Sequence, residues 1–114
     1  MTIKMLTPDF AVAPQITADE IASIVAQGYK SIICNRPDEE EQGQPRFDDV
    51  AAAAKAAGLE IRYLPFTSGA MTEQDEEEFA DLMAELPRPI LAYCRSGARS
   101  GNLFAAYQSK LDDV

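Results

Sequence analysis

Residues 90–100 read Ile-Leu-Ala-Tyr-Cys-Arg-Ser-Gly-Ala-Arg-Ser, and this stretch decides the fold class. A short apolar run ends at Cys94, and the residues that follow have the composition of a helix. The pattern therefore predicts the strand-to-helix turn of an α/β unit, with Cys94 on the turn. A helix that starts there offers backbone N–H groups and partial positive charge to an anion.

The loop after Cys94 carries the groups that an anion site needs. We expect the N–H groups of residues 95–99 to surround the anion and the Arg99 guanidinium to complete the ring. A thiol beside an arginine and a helix start ionises readily, which makes Cys94 the candidate nucleophile. Ser100 is expected to hydrogen-bond the thiolate or the loop, and Arg95 either attracts an anionic substrate or is simply surface. The candidates for binding the anion in this loop are Arg95, Ser96, Gly97, Ala98, Arg99 and Ser100.

The second cysteine fits a packing role. Cys34 follows Ser31-Ile32-Ile33 in an apolar strand and has no glycine-rich, arginine-bearing loop after it. A free cysteine in that setting usually behaves as a small apolar side chain. We therefore assign the chemistry to Cys94.

Length, charge and composition limit the function further. A chain of 114 residues can build one core, so we predict a single α/β domain over residues 1–114. No apolar run approaches the roughly 20 residues of a membrane span, and no signal-peptide pattern precedes the first strand, so we expect a cytoplasmic protein with reduced thiols. The net charge of −9 disfavours nucleic acid and anionic membranes as partners, and the acidic runs at 38–41 and 73–78 are interpreted as solvated surface.

The chain contains no histidine. This excludes Cys-His pairs, Ser-His-Asp triads and most zinc sites. We accordingly expect neither a metal nor a cofactor.

Strand and helix signals alternate along the chain with short connections, which predicts an α/β fold with a central, mainly parallel sheet of about four strands flanked by helices. The predicted strands lie at 10–13, 29–34, 59–66 and 90–93, and the predicted helices at 17–28, 47–57, 72–86 and from 99 onward. Thr17 and Glu20 form a capping box at the start of the first helix, whose apolar stripe is Ile21, Ile24 and Val25, and Thr72 caps the third helix. Ligands of such sheets bind outside the carboxyl ends of the strands, where three connections converge. Asn35, Arg36 and Asp38 are therefore further candidates for binding the substrate, although an Asn-x-Pro-Asp stretch also simply terminates strands.

The residues carry a family resemblance over nearly the whole chain. Three segments, Leu6-Thr7-Pro8, residues 33–38 (Ile-Cys-Asn-Arg-Pro-Asp) and residues 92–100 (Ala-Tyr-Cys-Arg-Ser-Gly-Ala-Arg-Ser), resemble the beta-lactamase hydrolase-like or DUF442 family. The resemblance implies a fold like that of cysteine-dependent dual-specificity phosphatases. It also implies a second activity, since family members are described as sulfur transferases and occur fused to a metallo-beta-lactamase-type persulfide dioxygenase.

Spacing distinguishes the two activities. The phosphatase pattern has a His before the Cys, five residues between Cys and Arg, and an Asp on a neighbouring loop. Here Tyr93 replaces the His, only four residues separate Cys94 from Arg99, and the loop after Phe66 reads Thr-Ser-Gly-Ala. Without a general acid, phosphate-ester cleavage would lose a factor of roughly 10² to 10⁴. The shorter loop instead resembles that of rhodanese-type sulfurtransferases, whose anionic leaving groups need no strong acid.

The sequence thus predicts a rhodanese-like sulfurtransferase with Cys94 and Arg99 as catalytic residues. A Cys94 persulfide would carry sulfur from thiosulfate or glutathione persulfide to sulfite, cyanide or a thiol, with Arg99 binding the donor's anionic head. The alternative is a cysteine phosphatase that forms a Cys94 phosphoenzyme, with Asp38 or Asp75 as acid. A third class is a binding module that recognises an anion or a partner dioxygenase without turnover. The expected partners are a small anionic substrate and, from the resemblance, a persulfide dioxygenase, fused or separate.

Overall fold

The computed structural model describes residues 1–112, which form one five-stranded sheet with helices packed on both faces. The strands are β1 (Lys4–Thr7), β2 (Phe10–Ala13), β3 (Ser31–Cys34), β4 (Glu60–Tyr63) and β5 (Ile90–Tyr93). The helices are α1 (Ile21–Ala26), α2 (Phe47–Ala56), α3 (Glu73–Glu85) and α4 (Ala98–Asp112), with a 3-10 turn (Ala18–Glu20) before α1. The predicted α/β fold class is confirmed.

The strand order is β1-β2-β5-β3-β4, and only β1 runs antiparallel to its neighbour. The sequence predicts about four strands, so β1 is the strand that was missed. Its side chains are exposed or half-buried, and such an edge strand has no continuous apolar run to indicate it. Asp9 follows in the turn to β2 and donates its N–H to the Thr7 hydroxyl at 3.1 Å.

The two sides of the sheet carry separate apolar clusters because side chains alternate along each strand. In β5, Leu91 and Tyr93 pack toward α1 and α2, whereas Ile90 and Ala92 pack toward α3 and α4. All four residues of β5 are buried because β2 and β3 flank the strand and helices cover both its faces. This central strand holds the following loop, which carries Cys94, in the middle of the sheet edge.

Helix capping follows the sequence closely. Thr17 and Glu20 form the predicted capping box, and Thr72 caps α3 with Asp75 as its partner. The predicted apolar stripe of α1 is wrong at Val25, which is 39% exposed, whereas Ile21 and Ile24 are buried.

β3 and β4 are each shorter than predicted, because residues 29–30, 59 and 64–66 lie outside the paired strands. No helix in the part of the chain that the structure describes is both long and apolar enough to cross a membrane.

Candidate active site

Cys94 lies directly after β5, where the chain turns into α4. Its backbone N–H donates to the carbonyl of Ala13 at 3.3 Å, which extends the pairing of β5 with β2 by one residue. The Gly97 N–H donates to Cys94 Sγ at 3.0 Å, and α4 begins at the next residue. Cys94 is only 1% exposed, and in the described part of the chain the Gly97 N–H is the hydrogen-bond donor directed at its sulfur.

Gly97 is required at its position in the loop. Its φ of +95° lies in the left-handed region, which side-chain-bearing residues rarely adopt. A Cβ atom there would lie 3.4 Å from the carbonyl carbon of Ala13. Glycine therefore lets the loop lie against β2 while its N–H points at the sulfur.

The other loop residues differ in what they contact. The Ala98 N–H donates to the Ser96 hydroxyl at 3.3 Å, so in this structure it is not directed at an anion as predicted. The carbonyl of Arg95 accepts a hydrogen bond from the Gln15 N–H at 3.2 Å. The Arg95 side chain is 70% exposed and lies 3.7 Å from Glu41. Of the predicted ring of N–H donors, the structure shows the Gly97 N–H bonded to the Cys94 sulfur.

Arg99 is buried and ion-paired with Glu40. Its Nη1 donates to Glu40 Oε2 at 2.9 Å and to the carbonyl of Phe66 at 3.0 Å, and its Nη2 donates to Glu40 Oε1 at 3.2 Å. The guanidinium fork therefore holds a carboxylate of the chain itself, a geometry that charge-assisted bidentate pairs favour. The Glu40 side chain is 24% exposed, so the pair lies at the rim of the site.

A cavity of about 420 Å³ opens beside these residues at the carboxyl ends of β3, β4 and β5. Its walls come from the connections that follow those strands and from the first turn of α4. The lining residues are Arg36, Glu40, Glu41, Thr67, Ser68, Arg95 and Arg99. Three arginines against two glutamates leave one net positive charge in the cavity. The site can therefore attract a small anion even though the chain as a whole is acidic.

Arg36 reaches the cavity from the end of β3. Its side chain is buried and contacts three partners: Nε donates to Glu40 Oε1 at 3.0 Å, Nη1 to Gln15 at 3.1 Å and Nη2 to Glu41 at 3.4 Å. Because Glu40 accepts hydrogen bonds from Arg99 and also from Arg36, its pKa lies below the ordinary glutamate value. Glu40 is thus ionised at neutral pH.

Asn35 lies behind the cavity. Its Nδ2 donates to the carbonyl of Leu64 at 2.9 Å, and its Oδ1 accepts from the Ser100 hydroxyl at 2.8 Å. The prediction that the Ser100 hydroxyl hydrogen-bonds the thiolate or the loop is therefore wrong for this structure. The two buried residues instead join the ends of β3 and β4 to the first turn of α4.

The two aspartates considered as acids both have structural partners. Asp38 Oδ1 accepts from the Phe47 N–H at 2.8 Å at the start of α2, and Asp75 accepts from the Thr72 N–H at 2.9 Å at the start of α3. Neither residue lines the cavity. The expectation that Asp38 contacts the substrate is corrected, because helix capping orients its carboxylate.

Tyr93 and Cys34 pack on the side of the sheet that α1 and α2 cover. Tyr93 packs into the core beside α1 and α2, so it does not take the place of a catalytic histidine in the cavity. Burial raises the pKa of the Cys34 thiol to about 11, and that thiol donates to the carbonyl of Arg36 at 3.3 Å.

The sequence missed the two glutamates of the site. Residues 38–41 were interpreted as solvated surface, yet Glu40 contacts Arg36 and Arg99, and Glu41 contacts Arg36 and Arg95. The available signal was the place of this acidic run, directly after a strand that ends at the predicted crevice. Within residues 1–112, no group of three or more potential metal-ligating side chains (His, Cys, Asp, Glu) could hold a metal ion.

Comparison with known proteins gives relatives in both sequence and structure. A beta-lactamase hydrolase-like protein of Agrobacterium fabrum is 40% identical over 93 residues, which are 82% of this chain and 22% of that protein. The crystal structure of a candidate phosphatase from Neisseria meningitidis is 36% identical, covers 91% of this chain and 74% of its own, and superposes with a TM-score of 0.84. TpbA of P. aeruginosa, whose structure holds phosphotyrosine, is 17% identical with a TM-score of 0.69 over 93% of this chain and 61% of its own, and shows the shared fold alone.

The chain spans under a quarter of the length of the curated relatives that it matches, at 22% of the Agrobacterium protein and 24% of a Xylella fastidiosa one. The structural relatives are cysteine-phosphatase-like, in agreement with the fold that the resemblance implied. The family described as beta-lactamase hydrolase-like protein, phosphatase-like domain, matches residues 2–111. With almost the whole chain matched and the site built on a cysteine at the end of a central strand, the protein belongs to this family.

Proposed function

We propose that the protein is a cysteine-nucleophile enzyme that acts on small anions and that its reaction is the transfer of sulfane sulfur. The Cys94 thiolate attacks the outer sulfur of a donor such as thiosulfate or glutathione persulfide. The donor's S–S bond breaks, its electron pair leaves with sulfite or glutathione thiolate, and Cys94 retains the sulfur as a persulfide. An acceptor thiolate, sulfite or cyanide then attacks that outer sulfur, and Cys94 thiolate is released.

The chain's own groups support each stage of this cycle. The Gly97 N–H lies 3.0 Å from Cys94 Sγ and stabilises the thiolate before attack. Arg36, Arg95 and Arg99 give the cavity its positive field, which attracts the donor. None of these steps requires protonation of a leaving group, since sulfite and thiolates leave as stable anions.

One observation carries the choice of sulfur transfer. Among the described residues, the cavity is lined by two carboxylates, Glu40 and Glu41, and both are ion-paired with arginines. Glu40 has a pKa that hydrogen bonds from Arg99 and Arg36 lower, so it holds no proton to donate near neutral pH. Asp38 and Asp75 are occupied as helix caps.

The second candidate is a cysteine-dependent phosphatase, and the comparisons support it better than they support sulfur transfer. The family description is phosphatase-like, and the structural relatives are phosphatases or candidate phosphatases, one of which binds phosphotyrosine. In this reaction Cys94 attacks phosphorus and forms a phosphoenzyme. A carboxylic acid would have to reach the ester oxygen, and Glu41, which is exposed, is the candidate that the structure leaves for this role.

The experiment measures both reactions on one preparation. We expect kcat/KM for persulfide:sulfite or thiosulfate:cyanide transfer to exceed that for aryl phosphate hydrolysis by orders of magnitude, with a gain of 32 daltons on Cys94 after incubation with the donor. Cys94→Ser provides the blank, and Cys34→Ser is the matched control. Efficient aryl phosphate cleavage that Glu41→Gln depresses on the acid-dependent limb of its pH profile would establish the phosphatase instead.

The proposal also includes a partner protein and a cellular compartment. The curated relatives are about four times longer than this chain, as the coverage of 22% and 24% shows. We propose a persulfide dioxygenase of the metallo-beta-lactamase type as the protein that consumes the product, fused or separate. A reducing compartment such as the cytoplasm suits the two free thiols of the described chain.

A further inference from the structure

The loop between β3 and α2 places a carboxylate on the arginine that the anion would be expected to use. Glu40 binds Arg99 through both its oxygens, at 2.9 and 3.2 Å, and the same carboxylate accepts from Arg36 at 3.0 Å. A substrate anion that enters the cavity therefore meets the fixed negative charge of Glu40 on Arg99. Glu40 belongs to the connection between β3 and α2, whereas Arg99 follows the loop after β5. The pairing of Glu40 with Arg99 is therefore not imposed by the length of the Cys94 loop.

The backbone before Glu40 is held in an unfavourable conformation. Glu39 has a φ of +65°, and among the described residues it is the one non-glycine residue with positive φ. Its own side chain is exposed and pairs with Arg46 at the surface. A residue in this region costs free energy that its surroundings must offset. The ion pairs of the next residue, Glu40, with two buried arginines fix the loop at this point.

We infer that Glu40 selects, for the proposed sulfur transfer, donors with a single negative charge at the reacting end. The geometry favours organic persulfides or thiosulfonates over dianions such as thiosulfate and phosphate monoesters. Glu40 repels a dianion twice as strongly as a monoanion at the same distance, and it also reduces the charge that Arg99 can offer. Glu41 adds a weaker contribution of the same sign, because it is more exposed and does not contact Arg99.

The test uses two donors that differ mainly in charge. Thiosulfate carries two negative charges, and methanethiosulfonate, in which a methyl group replaces one oxygen, carries one. Both deliver the same outer sulfur. In Glu40→Gln we expect kcat/KM for thiosulfate to rise about tenfold relative to methanethiosulfonate, since the extra unit charge no longer faces a carboxylate at close range.

Glu39→Gln is the matched control, because it removes one charge from the same loop without touching the cavity. Its ratio of the two donors should equal that of the wild type. Glu41→Gln should shift the ratio in the same direction by less, and it decides the matter if Glu40→Gln fails to fold. An equal ratio in the wild type, Glu40→Gln and Glu41→Gln would overturn the inference.

Binding without turnover separates this inference from the proposed function. In Cys94→Ser, titration calorimetry should show that Glu40→Gln tightens thiosulfate binding by about tenfold and methanethiosulfonate binding by much less. If no variant transfers sulfur while the binding difference holds, the proposed reaction fails and the charge selection stands. If sulfur is transferred but Glu40→Gln changes neither the binding ratio nor the kcat/KM ratio of the two donors, the charge selection fails.

Discussion

Cys34 and Cys94 stand at the ends of neighbouring parallel strands, and their sulfurs meet opposite surroundings. Cys34 lies opposite Tyr93 in the register of β3 and β5, so Cys94 is one residue beyond that pair. Both are free and almost completely buried. The Cys34 thiol donates a hydrogen bond to the Arg36 carbonyl and burial raises its pKa, whereas Cys94 Sγ accepts a hydrogen bond from the Gly97 N–H. The two cysteines thus share residue type and burial and differ in the polar group that faces the sulfur, which is a carbonyl acceptor at Cys34 and an N–H donor at Cys94.

Replacing each cysteine in turn is the most direct test of the difference between the two thiols. Cys94→Ser should reduce sulfur transfer at least about a thousandfold, because the nucleophile is lost. Cys34→Ser should retain most of the activity, since that thiol packs in the apolar cluster that α1 and α2 cover. Steady-state rates and circular dichroism of both variants check this. Equal losses in two folded variants would point to a mechanism that uses both cysteines.

Gly97→Ala tests the role of the hydrogen bond from the Gly97 N–H to Cys94. The left-handed φ and the contact with Ala13 should cost about 1–2 kcal/mol of unfolding free energy. The N–H would also turn away from the sulfur, so turnover should fall more than tenfold. Urea unfolding and kcat/KM measure the two effects.

Gly101→Ala is the control for that change. Gly101 lies in α4 with nothing within 4 Å of an added Cβ, so alanine should raise stability by about 0.5–1 kcal/mol. Activity that survives in Gly97→Ala would show that the N–H contact is dispensable.

Asn35→Ala tests the connection between the strand ends and α4. The change leaves the Leu64 carbonyl and the Ser100 hydroxyl without their buried partner, which should cost about 1–3 kcal/mol. We expect turnover to fall several-fold through looser placement of the Cys94 loop. Asn102→Ala, on the exposed side of the same helix, should change stability by less than about 0.5 kcal/mol. A stability of Asn35→Ala equal to that of Asn102→Ala would contradict this structural role.

The pH dependence of Cys34 concerns labelling and stability and leaves turnover unchanged. With its pKa raised to about 11, Cys34 should resist iodoacetamide until the pH approaches that value in a folded Cys94→Ser background. The fold favours the protonated thiol, so this contribution to stability is complete below the unfolded value of 9.0 and is lost as the pH rises toward 11. Cys34→Ala should show a flatter decline of stability over that range. Labelling that follows an ordinary thiol titration would refute the assignment.

Local patterns in the sequence predicted the strand that carries the site. The apolar run at β5 and the capping residues Thr17 and Thr72 indicated their elements directly, because each pattern lies within a few residues. The edge strand β1 was missed because neither of its faces is fully buried. Predictions thus succeeded where a signal was contained in one element.

Contacts between distant residues could not be predicted in the same way. Glu40 and Arg99 are 59 positions apart, and an acidic run beside a strand is typical of solvated surface. Asp38 follows soon after a strand that ends at the predicted crevice, but its carboxylate accepts a hydrogen bond from the Phe47 N–H at the start of α2. Which acid faces the site and which one caps a helix depends on how the loop folds between β3 and α2, and composition does not encode that path.

The anchoring of α4 limits how the loop before it can change in length. The helix begins at Ala98, and Leu103 and Phe104 bury its inner face while Ser100 is bonded to Asn35. One residue inserted after Cys94 would either rotate this helix by about 100° or be absorbed as a bulge that lifts Gly97 from Ala13. An insertion that gave the phosphatase-like spacing of five residues would therefore disturb either the packing of α4 or the contact of Gly97 with β2.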